Sequence, residues 1–426
     1  MKIEQLHQHF LESSGICTDT RKITPNCLFF ALKGDNFDGN TFAQEALDKG
    51  ALKVVIDDMR HHKNTGETIL CGNVLHTLQK LASFHRNQLG IPIVALTGSN
   101  GKTTTKELIN AVLSKKFRTT ATLGNLNNHI GVPLTLLSMN KETEMGIVEM
   151  GANHLKEIET LSKIAQPNYG YITNFGKAHL EGFGSLEGVV RGKSELYKNI
   201  SERDKMVFVN GNDPKQMELT ASMNRNTFGK DGTDCPVQLL ESSGTLVIGY
   251  KGLQIKSNLI GIYNFHNIAA AIAMGSYFEV TPEAIKEAIE GYIPTMNRSQ
   301  LMEKNGHHII LDAYNANPTS MMAALENFEQ SEGSSKLMIL GDMFELGDVA
   351  HEEHQKIANF VADHSFGTAY LVGENFFGIR SNSDNITAFK NFEDFKSSEV
   401  LKNLPASSIL IKGSRGMALE RVLELL

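Results

Sequence analysis

The stretch Leu96-Thr97-Gly98-Ser99-Asn100-Gly101-Lys102-Thr103-Thr104-Thr105 constrains the fold more than any other part of the chain. The β-branched run Ile91-Pro92-Ile93-Val94-Ala95 before it reads as a buried strand. After it, Leu108, Ile109, Val112 and Leu113 recur at helical spacing. Strand, glycine turn and helix in that order put curled backbone N–H groups at a helix start, where the dipole and unpaired donors favour an anion. Lys102 adds a point charge for β/γ-phosphates, and the Thr103 hydroxyl suits a magnesium ion. A full phosphate loop would carry a further glycine where Leu96 stands, so this is the shortened Gly-x-x-Gly-Lys-Thr-Thr form. The turn predicts a protein that handles ATP or GTP.

With 426 residues, the chain exceeds one ordinary core, and two or three domains are expected. Its net charge of −7 argues against bulk binding of nucleic acid, so cations for anionic substrates must be gathered in a cleft. Residues 1–15 lack the basic patch and apolar run of a signal peptide, and no apolar stretch approaches membrane-spanning length. Cys17, Cys27, Cys71 and Cys235 are scattered, as expected of reduced thiols in a cytoplasmic protein.

In chain order, strands are expected near 28–32 and 51–56, with helices at 41–49 and Val74–Leu89, the last closed by Gly90 before Pro92. From the phosphate loop on, strands at Met145–Glu149, 169–173 and Met206–Asn210 alternate with helices, the signature of a parallel sheet. Around 237–260 the period switches to two, which predicts an antiparallel insertion, and 265–278 reads as a buried alanine-rich helix. Beyond Pro294, strands at 308–312, 337–340, 369–372 and 409–411 alternate with helices again. The predicted fold class is α/β in three domains: a small N-terminal α/β domain (1–88), a central phosphate-loop domain with a doubly wound sheet (89–294) and a Rossmann-like C-terminal domain (295–426).

Open parallel sheets bind ligands beyond the carboxyl ends of their strands. Glu149 ends one strand, and His179 lies in a glycine-rich loop after another; both suit magnesium beside a triphosphate. Asp312, with Asn315 and Asn317 in Asp312-Ala313-Tyr314-Asn315-Ala316-Asn317-Pro318, follows a strand and opens a helix, where a carboxylate can bond ribose hydroxyls. The cationic glycine turn Lys412-Gly413-Ser414-Arg415-Gly416 suits a carboxylate. Spacing alone puts Lys193 on a helix surface and His351-Glu352-Glu353-His354 on a solvated helix face, the histidines being three apart rather than four as a zinc-protease helix requires.

Four motifs together resemble the ATP-dependent Mur ligases of bacterial cell-wall synthesis: Thr97 to Thr104, Glu149-Met150-Gly151-Ala152-Asn153-His154, Ala178-His179-Leu180-Glu181-Gly182-Phe183-Gly184-Ser185, and Asp312 to Pro318. Asp19-Thr20-Arg21 and Leu28 to Gly34 extend the resemblance to the N-terminus. It implies a ligase joining D-alanyl-D-alanine to UDP-N-acetylmuramoyl-tripeptide through an acyl phosphate, with the folylpolyglutamate synthases as relatives. Under that resemblance Gly98, Ser99, Asn100, Gly101, Lys102, Thr103 and Thr104 hold ATP phosphates, and Asn264 and Asn267 contact the nucleotide. Arg298 reaches the phosphates from the hinge, while Asp312 and Asn315 serve the ribose side. Thr103, Glu149, His179 and Lys193 bind a magnesium pair, Lys193 as a carbamate. Asp19, Thr20 and Arg21 serve the UDP substrate, and Asn317, Lys412, Ser414 and Arg415 the dipeptide. Asn297 stands where the family has glycine, and Tyr263 where it commonly has histidine. A monomer without nucleic-acid or membrane partners is expected. From another class, a phosphate-loop ATPase acting as a regulatory switch also fits the turn.

Overall fold

The computed structural model describes residues 2–331, 335–364, 366–381, 383–402, 404–405 and 407–426. Met1, within the leader segment read above, lies outside them. Three parallel or mostly parallel sheets follow one another along the chain. The first has four strands in the order Ile16–Cys17, Leu28–Phe30, Lys53–Ile56 and Thr68–Leu70, all parallel. Helix Val74–Leu89 follows; the Asn73 side chain caps it by accepting from His76 N at 2.7 Å, and Gly90 ends it at φ 64°. A left-handed end favours glycine, which has no Cβ to clash.

The central sheet has seven parallel strands in the order Cys235–Pro236, Arg225–Gly229, Met206–Asn210, Tyr169–Ile172, Ile93–Thr97, Met145–Glu149 and Thr119–Ala121. Ile93–Thr97 is fully buried, and the chain leaves it first toward one edge and later toward the other. The phosphate turn therefore sits at a topological switch point, where open sheets leave a crevice. The period-two region forms a three-stranded antiparallel sheet, Gln238–Glu241, Thr245–Tyr250 and Leu253–Ile260, as expected. Helix Pro282–Glu290 packs against its last strand, and helix Tyr263–Tyr277, rich in alanine, approaches Met206–Asn210 and Arg225–Gly229 of the central sheet closely.

The last sheet has six strands: Gln300–Lys304, His307–Asp312, Ser408–Lys412, Lys336–Gly341, Thr368–Val372 and Ile386–Phe389. The first pair is antiparallel and the rest are parallel.

The cores divide unequally. One apolar cluster joins Leu6, Phe30 and Leu78 of the first unit to Val148, Ile172 and Leu196 of the second, so these two units share a core. The clusters on both faces of the last sheet draw their buried residues from Ile309 onward. The C-terminal domain is thus independently cored, and the first two units pack as one body.

A histidine pair lies within the shared core. His85 Nε2 donates to Met139 O at 2.8 Å, which leaves its Nδ1 to accept from His7 Nε2 at 3.0 Å. Burial pushes both imidazoles below their ordinary value, with His85 adding to the effect on His7. The unfolded chain therefore takes up protons first as pH falls below about 6.5, and the stability present above that value is lost. Urea midpoints of the wild-type chain are expected to fall between about pH 7 and pH 5. A pH series on His7→Asn checks this: the slope over that window should flatten.

Candidate active site

The phosphate turn is built by its glycines. Gly98 has φ 145° and lies so close to Thr173 that a Cβ would collide with its hydroxyl. Gly101, at φ 79°, starts helix Lys102–Leu113, and a Cβ there would lie 2.6 Å from Asn267 Oδ1. The neighbouring strand end fixes the turn: Ser99 N donates to Asn174 O at 3.1 Å, and Asn100 N donates to Asn174 Oδ1 at 3.1 Å. Thr173 Oγ1 donates to Asn100 O at 2.6 Å. Lys102 Nζ donates to Gly98 O at 2.7 Å and Ser99 O at 3.1 Å, so the lysine curls over its own loop. Burial pushes its amine down to about 8, with Glu149 opposing the shift and Arg298 adding to it.

Adjacent strands carry the acids and amides. Leu96 and Glu149 are register partners, which sets Glu149 beside the turn. Glu149 is 1% exposed; its Oε1 accepts from Asn127 Nδ2 at 2.7 Å, and its Oε2 has no hydrogen-bond partner among the described residues. A buried carboxylate oxygen left without a donor favours a cation. Asn267 Nδ2 donates to Asn264 Oδ1 at 2.9 Å, and Asn264 Nδ2 to Ile260 O at 2.8 Å, so both amides are fixed beneath the loop.

The hinge between the central and C-terminal domains holds Met296, Asn297 and Ser299 at φ 58°, 55° and 46°. Asn297 thus adopts the conformation that glycine takes most easily, and asparagine tolerates it better than most residues. Tyr263 Oη lies 3.0 Å from Ser299 Oγ, tying the hinge to the central domain. Arg298 stacks its guanidinium 3.5 Å from the Tyr314 ring centroid, and its buried Nε finds no hydrogen-bond partner among the described residues.

Asp312 and Lys412 are register partners on adjacent parallel strands and form an ion pair. Asp312 Oδ1 also accepts from Ser299 N at 3.1 Å. The carboxylate expected to serve a ribose therefore already has two protein partners. Asn317 caps helix Pro318–Gln330 by accepting from Ser320 N at 2.9 Å, and its Nδ2 donates across the domains to Asn100 Oδ1 at 2.6 Å. Ser414 Oγ accepts from Phe344 N at 2.9 Å.

One cleft of about 970 Å³ gathers most of the expected residues. Ser99 through Thr104, Glu149, His179, Asn264, Asn267 and Arg298 line it, and Asp312, Asn315, Asn317, Lys412, Ser414 and Arg415 face them from the C-terminal domain. Gly98 is not among the lining residues. Asp19, Thr20 and Arg21 lie outside the cleft, in a turn of the first unit where Arg21 folds back onto Asp19 at 2.8 Å.

Two expectations from spacing are corrected. Lys193 is fully buried: its Nζ donates to Ala152 O at 2.9 Å and lies 5.1 Å from the Phe183 ring centroid. Burial, then the Lys102 charge, holds its amine well below the ordinary lysine range. In the His351 to His354 segment, Glu353 and His354 are buried while His351 and Glu352 are exposed, so only part of it is a solvated face. His354 Nδ1 donates to Ala350 O at 2.7 Å and its Nε2 accepts from Met343 N at 2.9 Å, so the ring is neutral and structural.

Three contributors escaped the sequence reading. Asn127 orients Glu149, Tyr314 carries Arg298, and Glu345 pairs with His179 Nδ1. Asn125-Leu126-Asn127-Asn128-His129 is a polar cluster without periodicity, the one local sign that a strand end opens a site there.

A phosphate loop facing an independently cored Rossmann-like domain across one cleft defines a nucleotide-dependent enzyme that brings two substrates together. Residues 12–94 match the description "Mur ligase family, catalytic domain", 96–275 "Mur ligase middle domain", and 297–415 "Mur ligase, glutamate ligase domain". The chain belongs to the Mur ligase family. A UDP-N-acetylmuramoyl-tripeptide–D-alanyl-D-alanine ligase of Bacillus subtilis is 35% identical over 96% of this chain and 92% of its own length. The protein of that name from Escherichia coli is 31% identical over 97% and 93%. The crystal structure of MurF from Acinetobacter baumannii covers 99% of this chain and 97% of its own at 31% identity, with a TM-score of 0.85. MurF ligase from Thermotoga maritima in complex with ADP covers 98% and 97% at 27% identity, with a TM-score of 0.86.

Proposed function

We propose that the chain is an ATP-dependent ligase that joins D-alanyl-D-alanine to UDP-N-acetylmuramoyl-tripeptide in peptidoglycan precursor synthesis. The observation that carries this reading is a shared cleft with a triphosphate cradle on one wall and the Lys412, Ser414 and Arg415 turn on the other. The names of the relatives supply the substrates.

Joining a carboxylate to an amine requires prior activation of the carboxylate. Lys102, Arg298 and the loop amides hold the triphosphate while its γ-phosphoryl passes to the tripeptide carboxylate, giving an acyl phosphate and ADP. Asn317, Lys412, Ser414 and Arg415 position the dipeptide, whose amine attacks the acyl carbon. The tetrahedral intermediate expels phosphate, and the nitrogen loses a proton. Positioning two reactants in one cleft supplies much of the rate. Asp19, Thr20 and Arg21 of residues 1–88 serve the uridine end, residues 89–294 the ATP, and 295–426 the dipeptide.

Glu149 fits magnesium through its unpartnered oxygen, with Thr103 and His179 on the same cleft wall. Bound there, magnesium neutralises charge on the phosphates. Lys193 is suited to carbamylation because burial favours the neutral amine, the form that adds carbon dioxide and releases a proton. The completeness of the cleft within one chain supports a monomer, and the free cysteines support a cytoplasmic setting.

Incubation with ATP, the tripeptide nucleotide and D-alanyl-D-alanine tests the reading. Phosphate release is expected only when both acceptors are present, together with the pentapeptide nucleotide. Release independent of the acceptors would instead mark a nucleotide switch.

A further inference from the structure

Loop 173–181 touches both halves of the cleft. Toward the phosphate turn, Asn174 accepts from Ser99 N and Asn100 N, and Gly176 O accepts from Ser99 Oγ at 2.8 Å. Toward the C-terminal domain, Lys177 N donates to Thr319 Oγ1 at 3.0 Å, and Glu181 N donates to Glu345 O at 3.2 Å. Lys177 Nζ then reaches Glu353 Oε1 at 2.8 Å. The Glu353 side chain is 8% exposed, and its other cation, Lys356 at 3.1 Å, lies on its own helix. Lys177 is therefore the charge that Glu353 gains from across the domain boundary. Neither side chain lines the cleft.

We infer that Lys177 is a positioning residue: its ion pair with Glu353 latches the C-terminal domain onto the phosphate-loop domain and holds the dipeptide turn in register with the loop. The inference rests on the ligase reading above. A buried carboxylate that loses one of two cations favours separation of the surfaces that buried it. The independent core of the C-terminal domain lets it separate as a unit. An unlatched cleft admits water to the acyl phosphate, so phosphate is released without product.

Three chains test this: wild type, Lys177→Met and Lys177→Arg. Lys177→Met is expected to bind ADP as wild type does, to lose about 10- to 100-fold in kcat/KM for D-alanyl-D-alanine, and to release more phosphate than product. Lys177→Arg should restore the coupling, because a guanidinium still pairs with the carboxylate. A Lys177→Met chain with wild-type coupling and wild-type kcat/KM overturns the latch. If the wild-type chain makes no pentapeptide nucleotide, the ligase reading fails, and small-angle scattering decides the latch separately. A Lys177→Met chain more extended than wild type then supports it, and identical curves refute it.

Discussion

Lys102→Ala is expected to lower the rate of pentapeptide-nucleotide formation by about 10²- to 10³-fold, the usual cost of removing one preorganised donor to a developing anion. Two effects combine. The amine is the loop's own point charge, and with its pKa near 8 it is largely protonated at neutral pH. It also holds the turn closed through the Gly98 and Ser99 carbonyls, so its loss frees the loop that the phosphates must enter. Steady-state kinetics should show the fall mainly in kcat, with a melting temperature near that of wild type. An undiminished rate would remove the phosphate loop from the chemistry altogether.

Lys193→Met should cost about 10- to 100-fold in activity and raise the magnesium requirement, the usual penalty for disturbing groups that orient a metal site. Methionine fills the same buried space beside Phe183 without offering an amine. Lys193→Arg should be no better, because a guanidinium stays charged where burial disfavours charge and cannot add carbon dioxide. In nuclear magnetic resonance with isotopically labelled bicarbonate, the wild-type chain is expected to show a carbamate signal that the methionine variant lacks. Full activity in Lys193→Met would dismiss the carbamate.

The two misplaced segments share a physical reason. Lys193 occupies the stripe of Val189, Leu196 and Ile200 on helix Leu186–Glu202, and His354 the stripe of Ile357, Ala358 and Val361 on helix Ala350–His364. Their spacing was visible, but a polar residue on an apolar stripe is stable only with a partner, and Ala152 O and Met343 N come from outside the helix each residue sits on. The buried central strands were legible because both faces are covered and their apolar runs are continuous. Thr119–Ala121, Arg225–Gly229 and Gln300–Lys304 were not, because their burial is partial and their composition mixed. The phosphate turn was legible in full because its glycines are a local steric requirement. The Asn100 to Asn317 contact was not, since it depends on how two domains meet.

The pairing of Asp312 with Lys412 is fixed by strand register rather than by loop conformation. A swing of the whole C-terminal domain therefore carries both charges as one piece, without altering the distance between them. Acceptor recognition becomes a transferable cassette: exchanging this sheet with its loops should retune which amine is taken, provided Asp312, Asn315 and the Asn317 contact to Asn100 are carried over.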